Sequence, residues 1–412
     1  MLLKRGALIG VVSTCVVLLS GCIGGESNTP MSASATQNNN IDNPADGLSG
    51  VNERTAREDL GDMLFHDVNL SLNRTMSCAT CHNPQHGFID NRENLFNQSV
   101  SMGADGIKFG TRNTPTIAYA QFSPAFFKDE ATGEYVGGQF HDGRAQHLTA
   151  QVNLNGGPIL NPVEMMMPDR NAVVDRLLEN PDYIERFKAE FGDNIFERQG
   201  GGGGGGNPAF SRIGQAIAAF EMTDEISPFD SKYDRSLTGD YMLTAQEQRG
   251  YQLVHANCMS CHDSSAITGA DKQTFSNYRY YNLGVPVNQA VRDALGNQDK
   301  DPGLAGHPNV SDEAQLGKFK TPTLRNIAIT GPYMHNGVFQ NLETVIAFKD
   351  YRRVANNNER VLNPKTQANW AEPDYPQTIQ YTDAEAMNDQ AIADIVAFLK
   401  LLTDKRYESL LD

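Results

Sequence analysis

Two six-residue stretches carry the clearest chemistry: Ser77–His82, "SCATCH", and Asn257–His262, "NCMSCH". Each spaces two cysteines two residues apart and follows the second with a histidine. A thioredoxin-like redox pair wants a βαβ context, which the flanking sequence lacks. Zinc wants four ligands, and each motif offers three with no fourth nearby. Haem c uses all three. The cysteines form thioether bonds, and the histidine meets the iron from the proximal side. The pattern points to two covalent haem c groups, on Cys78, Cys81 and His82 and on Cys258, Cys261 and His262.

The remaining cysteines agree with that reading. There are six, and the other two are Cys15 and Cys22. Lys4 and Arg5 precede a short apolar run that ends in "LSGC" at Cys22, so residues 1–22 read as an export signal. Its last four residues resemble a bacterial lipoprotein signal. That resemblance implies cleavage before Cys22, a lipid on its sulfur and anchoring to a membrane at the periplasm or cell surface. Haem c is assembled outside the cytoplasm, so export is a requirement of the chemistry. Residues 23–50 are rich in Ser, Asn, Thr and Gly and read as a flexible tether. The formal charge is −16, or −18 without Lys4 and Arg5. An acidic body argues against a nucleic-acid partner.

The elements that must hold two haems are mostly helices. Ala56, Leu60 and Leu64 recur at helical spacing ahead of the first motif. Thr244 and Glu247 form a capping-box pattern ahead of the second. Residues 171–192 and 212–222 read as amphipathic, and Ile392, Ile395, Val396 and Leu399 share a face near the C-terminus. The seven glycines from Gly200 to Gly206 read as a surface loop, since no Lys-Ser/Thr follows to make a phosphate cradle. Strand-like alternation is scarce. The fold class is mostly α, with long loops, as two cytochrome c-like domains over 51–225 and 226–412 with one covalent haem each.

The words around the motifs carry a resemblance. "LFHDVNLSLNRTMSCATCHNPQHGF", "GTRNTPT", "QFHDGRAQHL", "GGPILNPVEM" and "KFKTPTLRNIAITGPYMHNGVFQNLETVIAF" occur in that order. They resemble the bacterial di-haem cytochrome c peroxidases and their MauG-type relatives. The resemblance implies a peroxidatic first haem, an electron-transfer second haem and a calcium ion between the domains. It implies Glu164 as acid/base carboxylate, Gln151 as a pocket glutamine and Pro158 packed over the first iron. It also implies calcium ligands from the Asn113 side chain and carbonyls near Thr321 and Pro322. A carboxylate suits peroxide chemistry, because one oxygen loses a proton and the other gains one as the O–O bond breaks.

Three departures stand out. Peroxidases that cap the first haem do so with a histidine before the "GxRN" loop, where this chain has Asp105. An open first iron is therefore expected. The inter-haem tryptophan is replaced by His141, and the single tryptophan is Trp370. For the second haem, the family supplies Met or, in the MauG-type branch, Tyr. Counting from Leu342 puts Lys349 at that position, with Tyr351 two residues on. A one-turn shift is taken to bring Tyr351 in ahead of Lys349, and Met387 lies farther along. His66, His86, His147, His255, His307 and His335 read as surface or packing residues, with one or two against haem propionates.

The function that follows is a di-haem oxidoreductase using hydrogen peroxide. It either oxidises residues on a partner protein or reduces peroxide with electrons from a small cytochrome or cupredoxin. The non-enzymatic alternative is a di-haem electron-transfer cytochrome.

Overall fold

Each CxxCH motif is preceded by a helix with the same opening. Thr55-Ala56-Arg57-Glu58 and Thr244-Ala245-Gln246-Glu247 both form capping boxes, in which threonine and glutamate satisfy each other's backbone N–H. Six residues after each threonine stands a glycine, Gly61 or Gly250. A Cβ on Gly61 would lie 2.0 Å from the Ala216 carbonyl oxygen, and one on Gly250 would lie 2.0 Å from that of Asp394. The leading helices, Ala56–His66 and Ala245–Asn257, therefore cross their closing helices, Pro208–Glu221 and Asp389–Lys400, at backbone contact. The repeated threonine, glutamate and glycine were visible in the sequence, but only the second capping box was read there.

The computed structural model describes residues 54–197, 208–263, 273–354, 359–382 and 384–411. The signal segment, the tether, Cys15, Cys22 and the Gly200–Gly206 run lie outside them. Twelve α-helices span the described residues, with two antiparallel two-stranded sheets. Phe127–Lys128 pairs with Tyr135–Val136, and Tyr280–Tyr281 with Phe319–Lys320. The amphipathic stretch from 171 to 192 is two helices, Arg170–Leu178 and Pro181–Phe191. Pro181 cannot continue a helix but suits the first position of a new one, and Asn180 caps it. No described helix is long and apolar enough to cross a membrane.

Residues 53–412 cluster as one unit, with two large apolar cores inside it. Leu60, Leu64, Phe65, Ile213 and Ile217 anchor the first; Val254, Phe348, Ile392, Ile395 and Phe398 anchor the second. Burying each such side chain contributes roughly 1.5–3 kcal/mol. The cores are tied together by polar groups. The Tyr119 hydroxyl donates to Asp404, which also accepts from the Asn326 side chain at 2.8 Å. The Tyr407 hydroxyl donates to the Pro84 carbonyl at 2.6 Å.

Candidate haem-binding cavities

The first cavity, of about 570 Å³, opens over Cys78, Cys81 and His82. Cys78–Cys81 forms one helical turn that Ser77 and Thr80 cap reciprocally. Neither thiol is in a disulfide, and burial pushes both up to about 12, so both are neutral –SH groups. His82 Nδ1 lies 3.2 Å from the Phe88 carbonyl oxygen. That contact holds the proton on Nδ1 and leaves Nε2 as a lone pair. Burial also pushes the ring's pKa down.

Gln151, Pro158 and Glu164 line this same cavity. Gln151 sits on the Leu148–Asn153 helix, whose N-cap is His147. Glu164 ends a turn in which Asn161 Oδ1 accepts from the Val163 N–H at 2.9 Å. Asn161 Nδ2 in turn donates to Glu164 Oε1 at 2.6 Å. Burial raises the Glu164 carboxyl to about 7, although Arg144 and Asn161 pull it down. A carboxyl poised there can both take and return a proton near neutrality. Asp105 does not reach the cavity. It accepts from the Ile107 and Lys108 backbone N–H groups of its own loop, each at 2.9 Å.

Sequence reasoning missed Glu221. It lines the first cavity at the end of the closing helix, Oε2 has no hydrogen-bond partner among the described residues, and burial lifts its pKa to about 8. The available signal was a carboxylate in the otherwise apolar run "AIAAFEM".

The second cavity, of about 340 Å³, opens over Cys258, Cys261 and His262. His262 Nδ1 lies 2.8 Å from the Phe275 carbonyl oxygen, repeating the tautomer lock of His82. Leu342, Val345, Ile346 and Lys349 line it, at the i, i+3, i+4, i+7 spacing of one helix face. Burial pushes the Lys349 amine below its ordinary pKa. Tyr351 is not on this wall. Its ring stacks on Trp370 at 6.1 Å, with Phe348 beside it. Two residues along a helix turn the side chain by roughly 200°, so no small shift exchanges Tyr351 for Lys349. The expected preference for Tyr351 does not fit this helix. Met387 does line the cavity.

One wall is common to both cavities and includes Asn113, His141 and His335. The His335 ring lies 3.6 Å from that of Phe319, nearly parallel. Burial holds His141 down to about 4 and His335 down to about 3, so both rings are neutral at pH 7. Arg112 grips Asp301 through two bonds of 2.7 and 2.6 Å and reaches Asp142 at 2.7 Å. Thr321 and Pro322 line the second cavity along with Asn113. The Asn113 amide nitrogen faces the Gln98 and Ser99 carbonyls, while the Thr321 carbonyl accepts from the Ser276 hydroxyl at 2.7 Å. Of the other histidines, His66 is exposed, His255 packs on Tyr251 and His307 stacks on Phe126.

Free paired thiols, an adjacent imidazole whose Nδ1 is committed to a carbonyl, and a cavity lined by all three fit a covalent haem at each motif.

A family model described as di-haem cytochrome c peroxidase matches residues 55–242. The methylamine utilization protein MauG of Paracoccus denitrificans is 45% identical over 359 residues, covering 86% of this chain and 90% of that one. The chain belongs to the di-haem cytochrome c peroxidase/MauG family. A cytochrome c551 peroxidase of Nitrosomonas europaea is 30% identical, over 85% of this chain and 81% of its own. The crystal structure of the di-haem peroxidase BthA of Burkholderia thailandensis superposes with a TM-score of 0.72 at 29% identity, covering 86% and 88%. Membership makes this chain a di-haem oxidoreductase that uses peroxide, and implies two haem c groups.

Proposed function

We propose that peroxide is handled in the cavity over Cys78, Cys81 and His82, and that the resulting oxidising equivalents are delivered to residues of a partner protein. The observation that carries this reading is Glu164, half-buried with Gln151 and Pro158 on that cavity's wall. A bound haem supplies the redox centre at which the O–O bond is cleaved. The Glu164 carboxylate takes the proton from one peroxide oxygen and returns it to the other, which leaves as water. Gln151 orients the peroxide, and Pro158 with the neighbouring apolar side chains limits competing water. His141, in the shared wall, relays electrons between the two sites.

The identity to a MauG protein supports the partner-oxidising branch, as does a loop aspartate where a capping histidine would stand. The second reading is peroxide reduction with electrons from a small cytochrome or cupredoxin. The likeness to a cytochrome c551 peroxidase favours it. The remaining assignments belong to the same reading: domains over 51–225 and 226–412, calcium at Asn113, Thr321 and Pro322, and an exported protein lipid-anchored through Cys22. The two apolar cores support the domain division.

Mixing the ferric holoprotein with peroxide, without any reductant, tests the choice. Prompt spectral change and stoichiometric peroxide loss are expected. A protein that is inert until one electron is added would overturn the partner-oxidising reading in favour of the donor-fed peroxidase. A protein inert in both states would leave only the electron-transfer cytochrome.

A further inference from the structure

Among the side chains around the second cavity, Lys349 stands apart. Its amine makes no hydrogen bond or ion pair with any described residue. The groups that act on it electrostatically are the Cys261 and Cys258 thiols, and Lys349 in turn acts on His262. The amine therefore sits over the second CxxCH motif. The other lysine on this wall, Lys320, is satisfied: its Nζ donates to the Gly138 carbonyl and, at 3.2 Å, to the Ser123 hydroxyl.

Lys349 is half-buried and its amine opens into the cavity rather than into packed side chains, and a cation in such a recess without a counter-charge is costly. A neutral amine carries a lone pair and is a nitrogen donor to iron. Met334 and Met387 also line this cavity. A buried thioether needs no polar partner, so packing alone accounts for both methionines. Packing does not account for an amine.

We propose that Lys349 is the second axial ligand of the haem held by Cys258, Cys261 and His262, in place of the tyrosine or methionine of the relatives. The assignment rests on the haem reading above. It makes the second site a pair of nitrogen ligands, His262 Nε2 and Lys349 Nζ, and leaves Tyr351 in the Trp370 stack.

The test is electron paramagnetic resonance and near-infrared magnetic circular dichroism of the resting ferric holoprotein. Wild type should show one low-spin haem with an amine–imidazole signature. Lys349→Ala should convert that signal to high spin. Lys349→Met, an unbranched side chain one heavy atom shorter that keeps most of the packing, should abolish the amine–imidazole signature. Tyr351→Phe, Met387→Leu and Met334→Leu should leave it unchanged. A low-spin signal that survives Lys349→Ala, or that any of the other three abolishes, overturns the assignment. Peroxide reactivity is followed in parallel. A wild-type protein inert to peroxide but with a Lys349-dependent signal overturns the proposed function and keeps the ligand. A reactive protein whose signal ignores Lys349 does the reverse.

Discussion

His141 places its ring Nε2 2.9 Å from the carbonyl oxygen of Asn113, and both residues face both cavities. The imidazole thus fills the wall between the two CxxCH sites and is fixed by a backbone oxygen. His141→Ala removes an aromatic ring and a hydrogen bond worth about 1 kcal/mol. Electron equilibration between the haems should slow, with peroxide binding at the first unchanged. Stopped-flow spectroscopy after adding one reducing equivalent checks this.

Asn113 is also one of the ligands proposed for calcium at this wall. Chelation should slow the same equilibration, and added calcium should restore it. Asn113→Ala should raise the calcium concentration needed for restoration, measured by isothermal titration calorimetry.

Glu164 should govern the reaction with peroxide. Its carboxyl, raised to about 7, must be ionised to accept the first proton. The rate should therefore climb as pH rises through about 7 and then level off. Glu164→Gln should lower the rate by roughly 10²–10⁴-fold and abolish the climb. A pH series of stopped-flow traces on both proteins reads the outcome.

The glycine crossings should be intolerant of any side chain. Gly61→Ala and Gly250→Ala each force a Cβ onto a carbonyl oxygen 2.0 Å away, so two helix backbones must separate. Each substitution should cost about 1–3 kcal/mol. Thermal unfolding should show the loss. The absorption of the haem in the same half should be perturbed more than that of the other.

Arg325 is the largest fully buried side chain among the described residues. It donates to both Asp234 carboxylate oxygens at 2.6 and 2.9 Å and to the Gln273 carbonyl. Arg325→Ala leaves Asp234 without its counter-charge, and such a break in a buried pair typically costs about 3–5 kcal/mol. Arg325→Lys should recover only part of it, because an ammonium cannot reproduce the bidentate grip. Denaturant titration of both variants measures the difference.

The local chemistry was legible because it is written in consecutive residues. CxxCH puts two thiols and an imidazole on one short turn whatever surrounds it. The capping residues and the apolar periods of the leading and closing helices are equally local. Glu221 escaped notice because burial of a carboxylate is a tertiary property: the same residue on an exposed helix face would be ordinary. Counting along the chain puts Lys349 at the ligand position, and the preference for Tyr351 rested on a one-turn shift that two residues on a helix do not make. The two side chains leave that helix about 200° apart, one onto the wall of the second cavity and the other onto Trp370.

By itself the sequence determined the two CxxCH motifs, each with its adjacent histidine, and the helical class, since each follows from residue type and short spacing. The tertiary structure decided which side chains converge on each site. Gln151, Pro158 and Glu164 meet over His82 because a helix and a turn are folded onto one cavity wall. Lys349 lines the same cavity as His262 because its helix presents one face to it. His141 and His335 stand between the two sites because loops from both halves close on a shared wall, and no spacing along the chain encodes that closure.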